Sequence, residues 1–225
     1  CEVYVAARSR FNKEHGADSE YTHLILLCKN EEGYKNLCYI VSAAFTEGFY
    51  GKPRIDWELL REHAGGLICL SGCVAGAIPR MLLSGNYEGA KSKALELREI
   101  FGSEGFYLEI QDHGLDSERR ALDGLLRLHR ETGIPLAATN DAHYIEKDDA
   151  YYQDVLMCVQ MQKTINDPAR LKFETNEFYL KSEEEMRALF PEYPEAIENT
   201  AKIAGACNYD FEFGKYKLPR FKLPE

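Results

Sequence analysis

The sequence predicts an α/β domain of the (β/α)-barrel or open parallel-sheet class. Two observations carry that expectation. Five apolar runs of strand length, at residues 3–6, 23–27, 66–70, 106–110 and 136–139, alternate with amphipathic helical stretches. The helical stretches also have readable ends, with Asn or Asp before the first turn and Gly after the last. At 225 residues and 45% hydrophobic the chain is long and apolar enough to bury a sizeable core, which excludes a disordered segment.

The first two runs, Val3-Tyr-Val-Ala and His23-Leu-Ile-Leu-Leu, precede a helix signalled by Asn30-Glu-Glu, whose apolar face is Tyr34, Leu37, Cys38, Val41 and Phe45. Asp56 caps a short helix over 57–63, which Gly65-Gly66 stops before the strand ending at Leu70. Asn86 opens a helix with Ala90, Ala94, Leu97 and Phe101 on one face and Gly102 at its end. After the strand 106–110, Asp116 opens another through Leu122, Leu125, Leu126 and His129, with Gly133 and Pro135 beyond it. These elements place a first unit at 1–160. Past it the pattern changes, and 161–225 reads as an extension: a loop from Thr164, a short strand at 178–180, a capping box Ser182-Glu-Glu-Glu185 opening a helix to Phe190, and a helix from Pro194. Residues 211–225, with Pro219 and Pro224 among aromatics and lysines, read as a connector. The chain opens Cys1-Glu-Val-Tyr-Val without an initiator Met, already inside a strand-like run, which predicts a piece of a longer polypeptide.

Charge and composition narrow the function. Lys and Arg number 27 against 37 Asp and Glu, a net charge of −10, so the chain as a whole is a poor nonspecific binder of nucleic acid. No apolar run approaches the roughly 20 residues a bilayer requires, so no membrane partner is expected. The seven cysteines include no Cys-x-x-Cys pair, so six read as reduced thiols acting as small apolar residues in the cytoplasm. The sequence also lacks a Gly-Lys-Ser/Thr phosphate loop, a dinucleotide glycine fingerprint and a Gly-x-Ser-x-Gly elbow.

The sharpest chemical feature is Ala138-Thr-Asn-Asp-Ala-His-Tyr144. On an extended backbone Asp141 and His143 point to the same side at a strand end, where barrel sites form, and would make half of a divalent-metal site. A helix-capping Asp141 and a half-buried structural His143 fit the spacing equally. Cys73 ends Leu67-Ile-Cys-Leu-Ser-Gly-Cys; it is a soft metal ligand or, more blandly, a buried cysteine. Glu2 and His23 lie on two further strands and suit the same role. Asp112 and His113 are adjacent, point to opposite sides, and suit supporting, substrate-side or loop-structural roles. His15, His63 and His129 read as solvated, and Lys163, Arg170, Lys172 and Lys181 among Phe173, Phe178 and Tyr179 suit contact with a nucleic-acid backbone or, more blandly in an acidic chain, a solvated face of mixed charge.

Four stretches resemble one family: Gly66-Leu-Ile-Cys-Leu-Ser-Gly-Cys73, Phe106-Tyr-Leu-Glu-Ile-Gln-Asp-His-Gly114, Ala138-Thr-Asn-Asp-Ala-His-Tyr144 and Phe178-Tyr-Leu-Lys-Ser182. They are similar to the N-terminal polymerase-and-histidinol-phosphatase (PHP) domain of bacterial replicative DNA polymerase III alpha subunits. The resemblance covers essentially the whole chain, and 218–221 resembles the passage toward that family's palm domain. It implies a distorted (β/α)7 barrel whose mouth holds up to three divalent ions, zinc, manganese or magnesium. Carried over by motif, the metal ligands are Glu2, His23, Cys73, Asp141 and His143, with Asp141 and His143 nearest the chemistry. In some members this site is a 3′–5′ exonuclease. In others it is inactive and forms a scaffold, including for a separate exonuclease subunit. The family's His-x-His and Thr-Asp-His motifs would precede Cys1, so strands 3–7 of the barrel are expected here, with incomplete metal binding and little hydrolysis. Partners implied are DNA through absent polymerase domains, an exonuclease subunit, other replisome subunits, and self-association through exposed sheet edges. A stand-alone phosphoesterase of the histidinol-phosphatase type is the competing enzyme reading.

Overall fold

The computed structural model describes residues 1–216 and Leu218. Six strands form one open sheet: β1 (Glu2–Ala6), β2 (Tyr21–Cys28), β3 (Arg54–Ile55), β4 (Leu67–Leu70), β5 (Phe106–Ile110) and β6 (Leu136–Ala138), in the order β3-β1-β2-β4-β5-β6. Eight helices accompany them among the described residues: α1 (Glu31–Thr46), α2 (Trp57–Glu62), α3 (Ala77–Leu83), α4 (Tyr87–Phe101), α5 (Asp116–Thr132), α6 (Ala150–Gln160), α7 (Glu183–Leu189) and α8 (Pro194–Ala206). The mixed α/β class and the five long strands agree with the sequence reading, and the sheet does not close into a barrel.

One strand departs from the parallel pattern. β2 runs antiparallel to both β1 and β4, while the remaining neighbours are parallel. The reason lies in the connection. Residues 7–20 contain no helix, and without a crossover the chain turns back beside β1 rather than returning to its start. That loop is pinned from below by Arg54 on β3, which is fully buried. Its Nη1 donates to the Asp18 carbonyl at 2.7 Å, Nη2 to the Asn12 carbonyl at 2.8 Å and Nε to the Gly48 carbonyl at 3.1 Å. A two-residue strand built around an arginine has no apolar run, so β3 is invisible to periodicity.

Helix boundaries follow the capping chemistry. Asn30, Asp56 and Asn86 accept from the amides of Gly33, Leu59 and Gly89, and Ser182 and Glu185 form the capping box of α7. One cap differs. Leu115 precedes α5 and Asp116 is its first helical residue, because Glu118 reaches back to the Leu115 amide and leaves Asp116 to face the helix dipole. The strand expected at 178–180 is a single bridge between Tyr144 and Tyr179. Helices α3 and α6 were not signalled: Pro79 sits in the first turn of α3, and α6 is apolar on nearly every side. Of the connector, 211–216 has no regular structure, and 217 and 219–225 lie outside the described residues.

Alternation along the strands divides the core into two layers. Val3, Val5, Leu24, Leu26, Phe106 and Leu108 face α1, α2, α4 and α5, where they meet Ile40, Leu59, Leu97 and Leu128. Ile68, Leu70, Tyr107 and Ala137 face the other way and are covered by Ile203 of α8. The α8 helix is held by Asn199, whose Nδ2 donates to the Leu136 carbonyl at 2.8 Å. α1 lies so close to the turn before β4 that a Cβ on Gly33 would sit 2.0 Å from the Gly66 carbonyl oxygen. None of the described helices is long and apolar enough to cross a membrane.

Candidate metal centre

Because β2 is reversed, its first residues share a rim with the C-terminal ends of β1, β4, β5 and β6. The second layer continues upward into this rim. Ile25 pairs with Leu70 and Leu70 with Tyr107, so period-two alternation puts His23 and Glu109 one step above that apolar row, on the same face. The turn 71–73 passes so close to β2 that a Cβ on Gly72 would sit 3.0 Å from the His23 carbonyl oxygen.

Glu109 organises the rim. It is buried, and its carboxylate accepts from the Gly72 amide at 2.9 Å, the Thr139 hydroxyl at 2.5 Å and Gln111 Nε2 at 3.1 Å. The Glu109 amide in turn donates to Ser71 Oγ at 2.8 Å. One side chain thus ties the turn carrying Cys73 to the loop carrying Asp141. Burial raises its pKa, and the nearby Asp141 charge adds to the rise against those three hydrogen bonds. The sequence reading gave Glu109 no role. The signal available was a lone carboxylate inside the apolar strand Phe106–Ile110.

Asp141 and His143 do lie close together, with 4.0 Å between the Asp141 carboxylate and His143 Nδ1. The extended-strand reason for it is wrong, however. β6 ends at Ala138, and Asp141 has a left-handed backbone with φ of 41°. A turn brings the pair together, and His143 Nδ1 meets the Asp141 carbonyl at 2.6 Å. His143 is braced by Phe173, with ring centroids 4.7 Å apart, and its amide donates to the Phe178 carbonyl.

Beneath this loop lies a pair whose adjacency had left its role open. His113 is fully buried, with Nδ1 2.6 Å from Glu118, Nε2 2.6 Å from the Asn140 carbonyl, and its ring stacked on Phe178 at 4.0 Å. Burial opposes its charge, but the two hydrogen bonds outweigh it and the pKa rises; Glu118 falls correspondingly. Both ring nitrogens are engaged, so His113 supports the Asn140–His143 loop and holds no ion. His63 and His129 are half-buried rather than solvated, His63 packed on Tyr39 and His129 bonded to the Ile134 carbonyl.

Cys73 sits between these groups. Burial raises its thiol pKa to about 11, and the carboxylates of Asp141, Glu109 and Glu2 push in the same direction. Glu2 opens β1, at the end of the strand away from the rim. It lies two residues below the Tyr4–His23 pair on the same face, and its Oε1 reaches to 2.8 Å from His23 Nδ1. That nitrogen is buried, yet it has no partner in hydrogen-bonding orientation. Two donor atoms at such a distance without a proton aligned between them suit a shared cation.

The PHP-domain profile matches residues 1–113, half of the chain. The chain belongs to the PHP-domain family. Along its whole length this PHP chain is 49% identical to the DNA polymerase III subunit alpha of Treponema pallidum and aligns end to end, at 45% identity, with that of Thermus aquaticus. It is 46% identical to the subunit of Helicobacter pylori strain J99 over 82% of its residues. It spans only about a fifth of the length of these relatives: 19%, 19% and 16%. PHP domains generally depend on metal ions, and the donors on this rim are of the right kind: carboxylates, imidazoles and a thiol. Among the described residues, no three His, Cys, Asp or Glu side chains converge within reach of one ion. The PHP rim therefore carries the ligand types in two groups, Glu2 with His23 and Asp141 with His143, and Cys73 under the field of both.

Proposed function

We propose that this chain is the PHP portion of the catalytic alpha subunit of a bacterial replicative DNA polymerase, with 161–225 extending toward its polymerase domains. Its rim is the divalent-metal site of a 3′–5′ exonuclease, of which this chain carries an incomplete share. The observation that supports it is the pairing of donors from distant parts of the chain, Glu2 with His23 at 2.8 Å and Asp141 with His143 at 4.0 Å. Glu2, His23, Cys73, Asp141 and His143 would hold the ions. When bound, these supply charge that acidifies a water and neutralises a phosphodiester. The protein's own part is positional. Glu109 sets the spacing between the Cys73 turn and the Asp141 loop, and His113 holds that loop from below.

A stand-alone phosphoesterase is disfavoured because the relatives aligned end to end are about five times longer. The second reading, a scaffold holding polymerase and exonuclease subunits together, goes with the division of the donors into two separate pairs among the described residues. Calorimetric titration with manganese and zinc tests the reading. The chain is expected to bind weakly, Asp141→Asn to lower that affinity at least tenfold, and neither a 3′-mismatched primer nor a small phosphate ester to be hydrolysed appreciably. Unchanged affinity in the variant sinks the metal site and leaves the scaffold. Brisk hydrolysis of the small ester makes the chain a phosphoesterase.

A further inference from the structure

Against Phe173, the ring that packs on His143, lies a cavity of about 300 Å³ that the metal reading does not use. Its walls are the rings of Tyr144, Tyr151 and Phe173 and the charged groups of Asp154, Arg170 and Lys172. Phe173 is a shared wall, since the same ring packs against His143. The volume is that of a small-ligand site, and the lining mixes apolar rings with a few convergent polar groups.

Each polar group has a distinct state. Arg170 is committed: Nη2 donates to Asp154 Oδ2 at 2.7 Å and Nε to the Ile165 carbonyl at 3.0 Å. The other oxygen of Asp154, Oδ1, is buried with no hydrogen-bond partner and so presents an unfilled acceptor, which favours a ligand that donates to it. Lys172 is exposed and makes no ion pair among the described residues, unlike Lys163, Arg170 and Lys181 nearby. Tyr151 on α6 leaves 62% of its surface open. A ligand filling this cavity would be flat, carry a hydrogen-bond donor on its edge, and bear an anion.

We propose that the cavity binds one nucleotide unit, its base against Tyr151 with the edge toward Asp154 and its phosphate at Lys172. Stacking on an aromatic ring accepts any base, and a lysine takes phosphate as a point charge, which suits a site that reads no sequence. The proposal rests on the exonuclease reading for its purpose, because the cavity adjoins His143 and would seat the end of a single strand next to the rim. Free nucleotide and strand end share this chemistry.

Fluorescence anisotropy of a 5′-labelled twelve-residue oligo-dA, with unlabelled dAMP as competitor, separates these two sources. Done in excess EDTA, it reads the cavity without the metal site, so the two readings fail separately. The expected result is saturable binding, weakened about tenfold by Tyr151→Ala and again by Lys172→Glu. Lys35→Glu, on the outer helix α1, should leave it unchanged. Competition by dAMP at comparable concentration assigns the cavity to a free nucleotide, and resistance to it assigns the cavity to a strand. Absence of saturable binding overturns the proposal, as does equal weakening by the Lys35 and Lys172 variants, or no response to the loss of Tyr151.

Discussion

Replacing Glu109 by alanine is the perturbation that best tests how the rim is held. The carboxylate accepts three hydrogen bonds, from the Gly72 amide, the Thr139 hydroxyl and Gln111 Nε2. Bonds to a charged group contribute roughly 1.5–3 kcal/mol each, so the loss of all three alone would remove about 4.5–9 kcal/mol. Removing a buried carboxylate also removes the several kcal/mol spent in taking it out of water. The Gly72 amide is then left buried without an acceptor, at about 1–3 kcal/mol. The net expectation is a destabilisation of about 2–4 kcal/mol, or about 4–16 °C in Tm for a chain of this size. Glu109→Gln keeps the shape and one acceptor oxygen, and should lose less than half as much. Urea denaturation followed by circular dichroism gives the free energies, and the manganese titration gives the rim. Both variants should weaken manganese binding in proportion to their instability at 25 °C. A Glu109→Ala protein as stable as the parent, or one destabilised while the glutamine variant is equally so, would refute the idea that this side chain staples the two loops.

Three further outcomes are expected. Gly33→Ala should destabilise by about 3 kcal/mol in the same urea assay, since its new methyl meets the Gly66 carbonyl at 2.0 Å and backbone on both sides resists movement; a cost below 1 kcal/mol would refute that close approach. Asp18, hydrogen-bonded by Arg8, has its pKa lowered to about 2, so its contribution is full above pH 4 and disappears as pH falls from about 4 to 2. The parent should lose stability across that window faster than Asp18→Asn, and parallel curves would show that the pair contributes nothing. Because the sheet ends at β3 and β6 instead of closing, we propose self-association, visible in light scattering as mass above the monomer that rises with concentration. A monomer at all concentrations counts against it.

Much of the architecture was legible from residue order. The five long strands and the caps at Asn30, Asp56, Asn86 and Ser182 are local matters: period-two alternation and a side-chain oxygen over free amides act within a few residues, so sequence carries them directly. The ligand candidates were legible too, each as a polar residue at or near the end of an apolar run. Strand direction was not. Whether β2 returns parallel or antiparallel depends on a loop held by one buried arginine on β3, which contacts two of its carbonyls, Asn12 and Asp18, far away in the chain. Nor was the Asp141–His143 geometry, which a left-handed residue sets rather than strand alternation. Glu109 marks the boundary most clearly. Its charge in an apolar strand was plain in the letters, but its partners Gly72 and Thr139 stand 37 and 30 residues away and meet it only once three strands are side by side. Hydrogen bonds across such separations have no local signature, because their free energy is released only after the sheet has brought the groups together.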